Sequence, residues 1–318
     1  MQIAVQRELA PFAFDVLEGL TKREKSLPPR YFYDDLGSAL FQAITLLPEY
    51  GLTRADERLL ETQAPALSAQ LRTPFLIAEL GSGDGSKTSH LLRAAGVHGE
   101  LVKYCPIDIS PAALEVCRRE LEPLAHVRPI LGDYFTGLRQ VRDQRTEGDQ
   151  LLVLFLGSTI GNFDREAIPE FLETVRGFLK PGDLFLLGAD LVKPEESLIA
   201  AYDDSLGVTA AFNLNLLRRI NTELGGNFNL RAFRHQAFWN GEQHRIEIHL
   251  ISSVEQVVFV EALQLAVTFR EGESIWTESC HKFSVPEVEA FGLEAGFEVV
   301  TTWTDQEWPF AESLWRAR

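Results

Sequence analysis

Short apolar runs alternate with helix-period patterns through the middle of the chain. The runs 75–80, 102–107, 127–131, 151–156 and 184–188 are apolar almost without interruption, as strands buried on both faces are. Between most of them apolar positions recur at helical spacing, over 86–95, 112–124 and 165–179. Ser110-Pro111 offers a cap and a first-turn residue, and Lys180-Pro181-Gly182 stops the last of these helices. Such alternation predicts an α/β fold with a doubly wound, Rossmann-like parallel sheet.

The pattern then changes. Residues 194–224 read as largely helical, and strand-like runs follow at 230–239 and 244–251. Asn240-Gly241 between those runs is a hairpin signal. Extended runs at 257–260 and 263–269 come next. Ser284 with Glu287 makes a capping box for a helix through Ala295, and two last strands are expected at 297–303 and 310–315. Taking out the middle leaves a coherent sheet with a terminal antiparallel pair. The expected domains are therefore 56–192 with 283–318, and 1–55 with 193–282, the latter mixed α+β.

Composition narrows the partners. The 318 residues carry 30 Lys and Arg against 46 Asp and Glu, a formal net charge of −16. Nucleic acid and anionic membrane surfaces are disfavoured for so acidic a chain. Three cysteines cannot all pair, which fits a reducing cytoplasm. The first twenty residues lack the apolar core and cleavage site of a signal peptide, and the longest apolar run is too short to span a bilayer. A cytoplasmic, monomeric protein is expected.

The clearest chemistry lies at Glu79-Leu80-Gly81-Ser82-Gly83-Asp84-Gly85, between the first core strand and a helix. Glycines there let the backbone turn sharply and approach a ligand, at the switch point of a parallel sheet. The spacing is G-x-G-x-G rather than the dinucleotide G-x-G-x-x-G. Asp108 closes the second strand, placed for ribose hydroxyls, and Gly132-Asp133-Tyr134 follows the third, where an adenine would meet an acid and a ring. In this order the residues resemble the class I S-adenosylmethionine-dependent methyltransferases. That resemblance implies cofactor contacts from Glu79, Gly81, Gly83, Gly85, Lys87, Asp108, Asp133 and Tyr134.

Further motifs lie outside that core: Tyr31-Phe32-Tyr33-Asp34, Leu47-Pro48-Glu49-Tyr50, Gly157-Ser158-Thr159-Ile160-Gly161-Asn162-Phe163, Tyr202-Asp203-Asp204, and Trp276 to Phe283. From Tyr31 onward the chain is similar to the histidine N-alpha-methyltransferases of ergothioneine biosynthesis. The resemblance implies a second domain built from the N-terminal segment and the insertion, and a pocket between the two lobes for a free amino acid. Asn162 and Tyr202 would hold its carboxylate, while Tyr33 and the Gly157 backbone would lie near the amine. Tyr50 and Glu278 would bond the imidazole. Amide and phenol groups orient a carboxylate without burying a second full charge. Tyr33 and Asn162 are the catalytic candidates; Tyr33, a water or bulk solvent would take the amine's proton. No metal is expected: His244 and His249 do not have zinc-ligand spacing, and Cys280 and His281 are adjacent on a strand and face apart.

One position departs from the family pattern. Cys280 stands where serine is general, and a thiol bonds more weakly than a hydroxyl. Ile248 is placed at the same corner. The resemblance thus implies trimethylation of L-histidine to hercynine, with N-methylation of tryptophan or tyrosine as the alternative. A catalytically silent binding protein on the same fold is the third.

Overall fold

The computed structural model describes residues 10–96 and 102–318. Residues 1–9, part of the stretch read above as no signal peptide and of the expected substrate domain, lie outside that range. Along the chain the elements are α1 (Pro11–Thr21), β1 (Lys25–Ser26), α2 (Asp35–Thr45), α3 (Leu52–Ser68), β2 (Phe75–Leu80), α4 (Thr88–Ala95) and β3 (Val102–Asp108). Next come α5 (Pro111–Leu121), β4 (Ala125–Val127), β5 (Ile130–Leu131), α6 (Tyr134–Gln144), β6 (Gln150–Phe155), α7 (Ile168–Phe178) and β7 (Leu184–Asp190). The remainder forms α8 (Glu195–Tyr202), α9 (Val208–Leu224), β8 (Phe233–Asn240), β9 (Arg245–Ser252), β10 (Gln256–Val260), β11 (Leu265–Phe269), β12 (Ser274–His281), α10 (Val285–Glu294), β13 (Phe297–Asp305) and β14 (Phe310–Ala317).

Two compact units result. The first holds the described residues up to Tyr50 with Pro194–Cys280; the second holds Gly51–Lys193 with His281–Arg318. The expected boundary at 55/56 falls five residues late, because α3 starts at Leu52 and packs against α4, inside the second unit.

The second unit is the doubly wound sheet, ordered β13-β14-β7-β6-β2-β3-β4, with β5 also on β3. The central strands run parallel, and β14 lies antiparallel between β13 and β7. Its apolar runs split by strand parity onto two cores. Leu76, Ala78 and Leu80 pack into one; Ile77, Leu152 and Leu154 pack into the other. That double burial is why these strands lack polar alternation. The expected strand 127–131 is two short ones, since Pro129 between them has no N–H to give the ladder. The capping box at Ser284 and Glu287 is present as expected. The chain leaves this unit after Lys193 and re-enters at His281, where Leu191 and Phe283 form a parallel bridge.

In the first unit β1, β12, β9 and β8 form one sheet in that order, and β10 pairs with β11. The helical stretch 194–224 is broken into α8 and α9. There Asp204 accepts from the Val208 and Thr209 amides, at 3.0 and 2.7 Å, and Gly207 takes φ +73°. The β8–β9 hairpin closes with Asn240 paired to Arg245, so four residues turn the chain and not Asn-Gly alone.

Candidate active site

The glycine loop is built as its composition requires. Gly81, Gly83 and Gly85 take φ of +69°, +55° and +71°, which residues with a Cβ resist. The Gly81 and Ser82 amides donate to the Ile107 carbonyl at 2.8 and 3.2 Å, tying the loop to β3. Asp108 accepts from the Gly83 amide at 3.0 Å and from the Ser110 amide at 2.9 Å. It therefore shapes the loop and still has lone pairs for a ribose.

The three glycines differ in what surrounds them. A Cβ on Gly85 would sit 2.7 Å from Cys117 Sγ, so that glycine serves the packing of α5. One on Gly81 would meet the Tyr134 ring at 3.6 Å, and one on Gly83 would meet nothing within 4 Å. The loop's free side is therefore the Gly83 side, bordered by Tyr134 and Asp108. Burial and the nearby Asp108 charge push the Tyr134 phenol up to about 12, so it stays neutral. These residues fit an adenosine-bearing cofactor.

Three expected cofactor residues also have partners within the protein. Glu79 is buried and accepts from Thr88 Oγ1 at 2.6 Å and Tyr104 OH at 2.5 Å, bracing α4 against β3. Burial raises it to about 7, opposed by those two hydrogen bonds. Asp133 is the N-cap of α6, a helix absent from the sequence expectations; it accepts from Phe135 N, Thr136 N and Thr136 Oγ1 at 2.7–3.0 Å. Lys87 is ion-paired with the fully buried Asp56. Asp56 Oδ2 also accepts from the Gly157 amide at 3.0 Å. Gly157 and Ser158 both take left-handed φ, +69° and +57°, and Ser158 Oγ accepts from the Asp190 amide at 2.8 Å. That strained turn leads into the 3₁₀ turn Thr159–Asn162. Asp164 makes no side-chain cap to the next turn, Arg165–Ala167.

Near the re-entry point Asp190, wholly buried, pairs with Lys193 at 2.5 Å and Lys282 at 2.8 Å and accepts from Trp308 Nε1 at 3.0 Å. Burial alone would raise Asp190, but the two lysines hold it below its ordinary value. Burial brings Lys193 down to about 8 against the pull of Asp190.

In the first unit the three tyrosines are gathered by phenylalanines. Tyr33 lies 5.7 Å from both Phe41 and Phe212, Phe41 lies 6.4 Å from Tyr50, and Tyr50 meets Tyr202 edge-on at 6.0 Å. Asp34 fixes the segment after Tyr33: it caps α2 through Gly37 N and accepts from Asn215 and Arg218 of α9. The Tyr202 carbonyl ends α8 and accepts from His235 Nε2 at 2.8 Å, while Asn213 Nδ2 lies 3.0 Å from His235 Nδ1. An amide N–H facing Nδ1 assigns the proton to Nε2. Burial lowers His235, against the Tyr202 carbonyl, so the ring is neutral. Ile248 and Cys280 are buried and Glu278 is half-buried. Sequence reasoning gave no role to His235, Asp56, Asp190, Phe212 or Asn213.

Among the described residues no group of His, Cys, Asp and Glu could hold a metal, and no helix is long and apolar enough to cross a membrane. His249, set aside above as a ligand, is stacked between Phe238 and Trp276.

Comparison with known proteins decides the family. The model of the histidine-specific, S-adenosylmethionine-dependent methyltransferases matches residues 12–317. The chain belongs to that family. It is 41% identical to a histidine N-alpha-methyltransferase of Mycobacterium tuberculosis over 94% of this chain and 93% of that one. An ergothioneine biosynthesis protein 1 of Neurospora crassa is 29% identical over 88% of this chain and 32% of its own length. A 4-dimethylallyltryptophan N-methyltransferase of Claviceps fusiformis is 27% identical over 92% and 88%. Like the rest of its family this methyltransferase uses S-adenosylmethionine, and the Gly81–Gly85 loop, Asp108 and Tyr134 are the features of its fold suited to hold it.

Proposed function

We propose that this methyltransferase acts on the α-amino group of free L-histidine, adding three methyl groups to give hercynine for ergothioneine synthesis. The observation that carries the reading is the family match over nearly the whole chain together with 41% identity to a histidine N-alpha-methyltransferase. The ring of Tyr33, Tyr50 and Tyr202 in the first unit supports it.

S-adenosylmethionine supplies a methyl group already activated on a sulfonium. The protein's part is therefore placement of the amine. Asn162 and Tyr202 are assigned to the substrate carboxylate, Tyr33 and the Gly157 backbone to the amine. His235 holds the Tyr202 carbonyl and so the end of α8. Tyr50 and Glu278, with Ile248 and Cys280, are assigned to the imidazole. The nitrogen lone pair forms the N–CH₃ bond and the S–CH₃ bond breaks. Each of the first two transfers leaves a proton on nitrogen that must depart before the next attack. Tyr33 or a water is the group to receive it, with bulk solvent as the final acceptor. Tyrosine faces suit a nitrogen that becomes a quaternary ammonium.

Cys280 favours a second reading. It is a buried thiol where the family pattern has serine, and a relative at 27% identity is named for a tryptophan derivative. Tryptophan or tyrosine would then be methylated. Incubation with S-adenosylmethionine and all twenty amino acids, followed by mass spectrometry, separates the readings. Trimethylated histidine is the expected product. Methylated tryptophan or tyrosine would move the specificity, and no product at all would overturn the reading.

A further inference from the structure

Under the cofactor side of the second unit lies a buried cluster with more acid than base. Asp56 of α3, Glu312 of β14 and Lys87, just before α4, are brought together there. Both carboxylates are fully buried. Asp56 Oδ2 is occupied by Lys87 and the Gly157 amide, while among the described residues Asp56 Oδ1 and both Glu312 oxygens have no N–H or hydroxyl donor. The sheet makes room for this contact: Glu312 pairs with Gly188 of β7, and a Cβ on Gly188 would lie 3.3 Å from Asp56 Oδ1. Trp303, opposite Glu312 on β13, is uncharged. Glu79 of β2 is the other acid whose charge reaches the cluster, through Lys87 and Asp56.

Two ionised carboxylates against one ammonium would leave a net negative charge in a dry interior, which is costly. A proton between Glu312 and Asp56 Oδ1 removes that charge and satisfies Asp56 Oδ1 and one of the two Glu312 oxygens in one bond. We propose that Glu312 is a protonated positioning residue that shares its proton with Asp56, so that Lys87 keeps the charge to attract the carboxylate end of S-adenosylmethionine. Burial first, then the Asp56 charge, raise Glu312 well above the ordinary carboxylate range, which supports this. The inference rests on the reading that Lys87 meets that end of the cofactor.

The test compares two probes, S-adenosylhomocysteine and methylthioadenosine, which lacks the amino-acid end. Calorimetric titration of Glu312→Leu should show a loss of about tenfold or more for S-adenosylhomocysteine, as expected when a buried charged group loses its bonding partner, and no loss for methylthioadenosine. Glu312→Gln, whose amide can donate to Asp56, should restore the affinity. It should also hold that affinity at alkaline pH, where the unsubstituted protein loses it as Glu312 ionises. Equal losses for both probes, or a Gln variant as weak as the Leu variant, would overturn the proposal. If Glu312→Leu does not fold, the alkaline comparison with Glu312→Gln still decides. Infrared spectroscopy reads the proton directly, as a protonated-carboxyl band missing from Glu312→Gln. Lys87→Met tests the supporting reading alone. Unchanged affinity for S-adenosylhomocysteine there would mean that Lys87 does not meet the carboxylate, and the role of Glu312 falls even where its infrared band remains.

Discussion

The second unit buries its charges, and the first keeps most of its own near the surface. Asp56, Asp190, Glu312 and Lys282 are no more than 1% exposed, and Arg145 and Asp183 form another interior pair. In the first unit Arg218 pairs with Asp34 while 40% exposed, Asp204 and Glu247 are buried exceptions, and the contacts of Tyr202, His235 and Asn213 are neutral. Buried ions interact strongly and tolerate no missing partner, whereas neutral bonds and rings depend on shape. Charge and pH should therefore act mainly through the second unit, and small changes of shape or hydroxyl through the first.

The sharpest way to break that contrast is Asp190→Asn. Lys193 would remain buried without its counter-charge, and about 3–5 kcal/mol of stability should go in a urea titration. A loss within the error of the titration would mean that the interior lysines are not held by charge. Next in size is Glu79→Gln. Glu79 is raised from its unfolded value of 4.5 to about 7, so its stabilising share is complete below 4.5 and disappears as pH rises through 7. The Gln variant should accordingly gain about 3 kcal/mol over the parent above pH 7 and nothing below pH 4. Thermal melts across that range check it; a gap that does not vary with pH would refute it.

Two predictions sharpen the substrate side. Asn162→Ala and Tyr202→Phe should each weaken histidine by about tenfold or more, the worth of a bond to a charged group, while S-adenosylhomocysteine binds as before. Equal weakening of both ligands would remove those residues from the substrate carboxylate. The smallest effect is expected of Cys280→Ser, a gain of about two- to tenfold for histidine through one better hydrogen bond. If no amino acid's affinity changes, Cys280 does not touch the ring.

The legible part of the molecule is the part with local signatures. Core strands came through as apolar runs, α10 through its capping box, and the loop through glycines that proved to need positive φ. Glu79 and Asp133 were read only as cofactor contacts, and nothing local showed that the fold also uses one as a buried strut and the other as a helix cap. Nothing local marks Asp56 against Glu312, or Asp190 against Lys282 and Trp308, because such partners meet only when elements distant in sequence pack together. The three N-terminal helices were not assigned at all, and Asn240-Gly241 understated its turn by two residues.

The position of β14 also bears on how the chain assembles. Leu184–Asp190 is buried along its whole length, and its outer neighbour arrives only after the entire insertion, with Trp308 reaching Asp190 across 118 positions. Closing so long a loop is slow and entropically costly. Until it closes, β7 presents an unpaired apolar edge of the kind that recruits other chains. Correct folding of the insertion shortens that interval by bringing residues 191 and 283 together. Lesions in the first unit should therefore show themselves as aggregation during synthesis before they show as any defect in the finished enzyme.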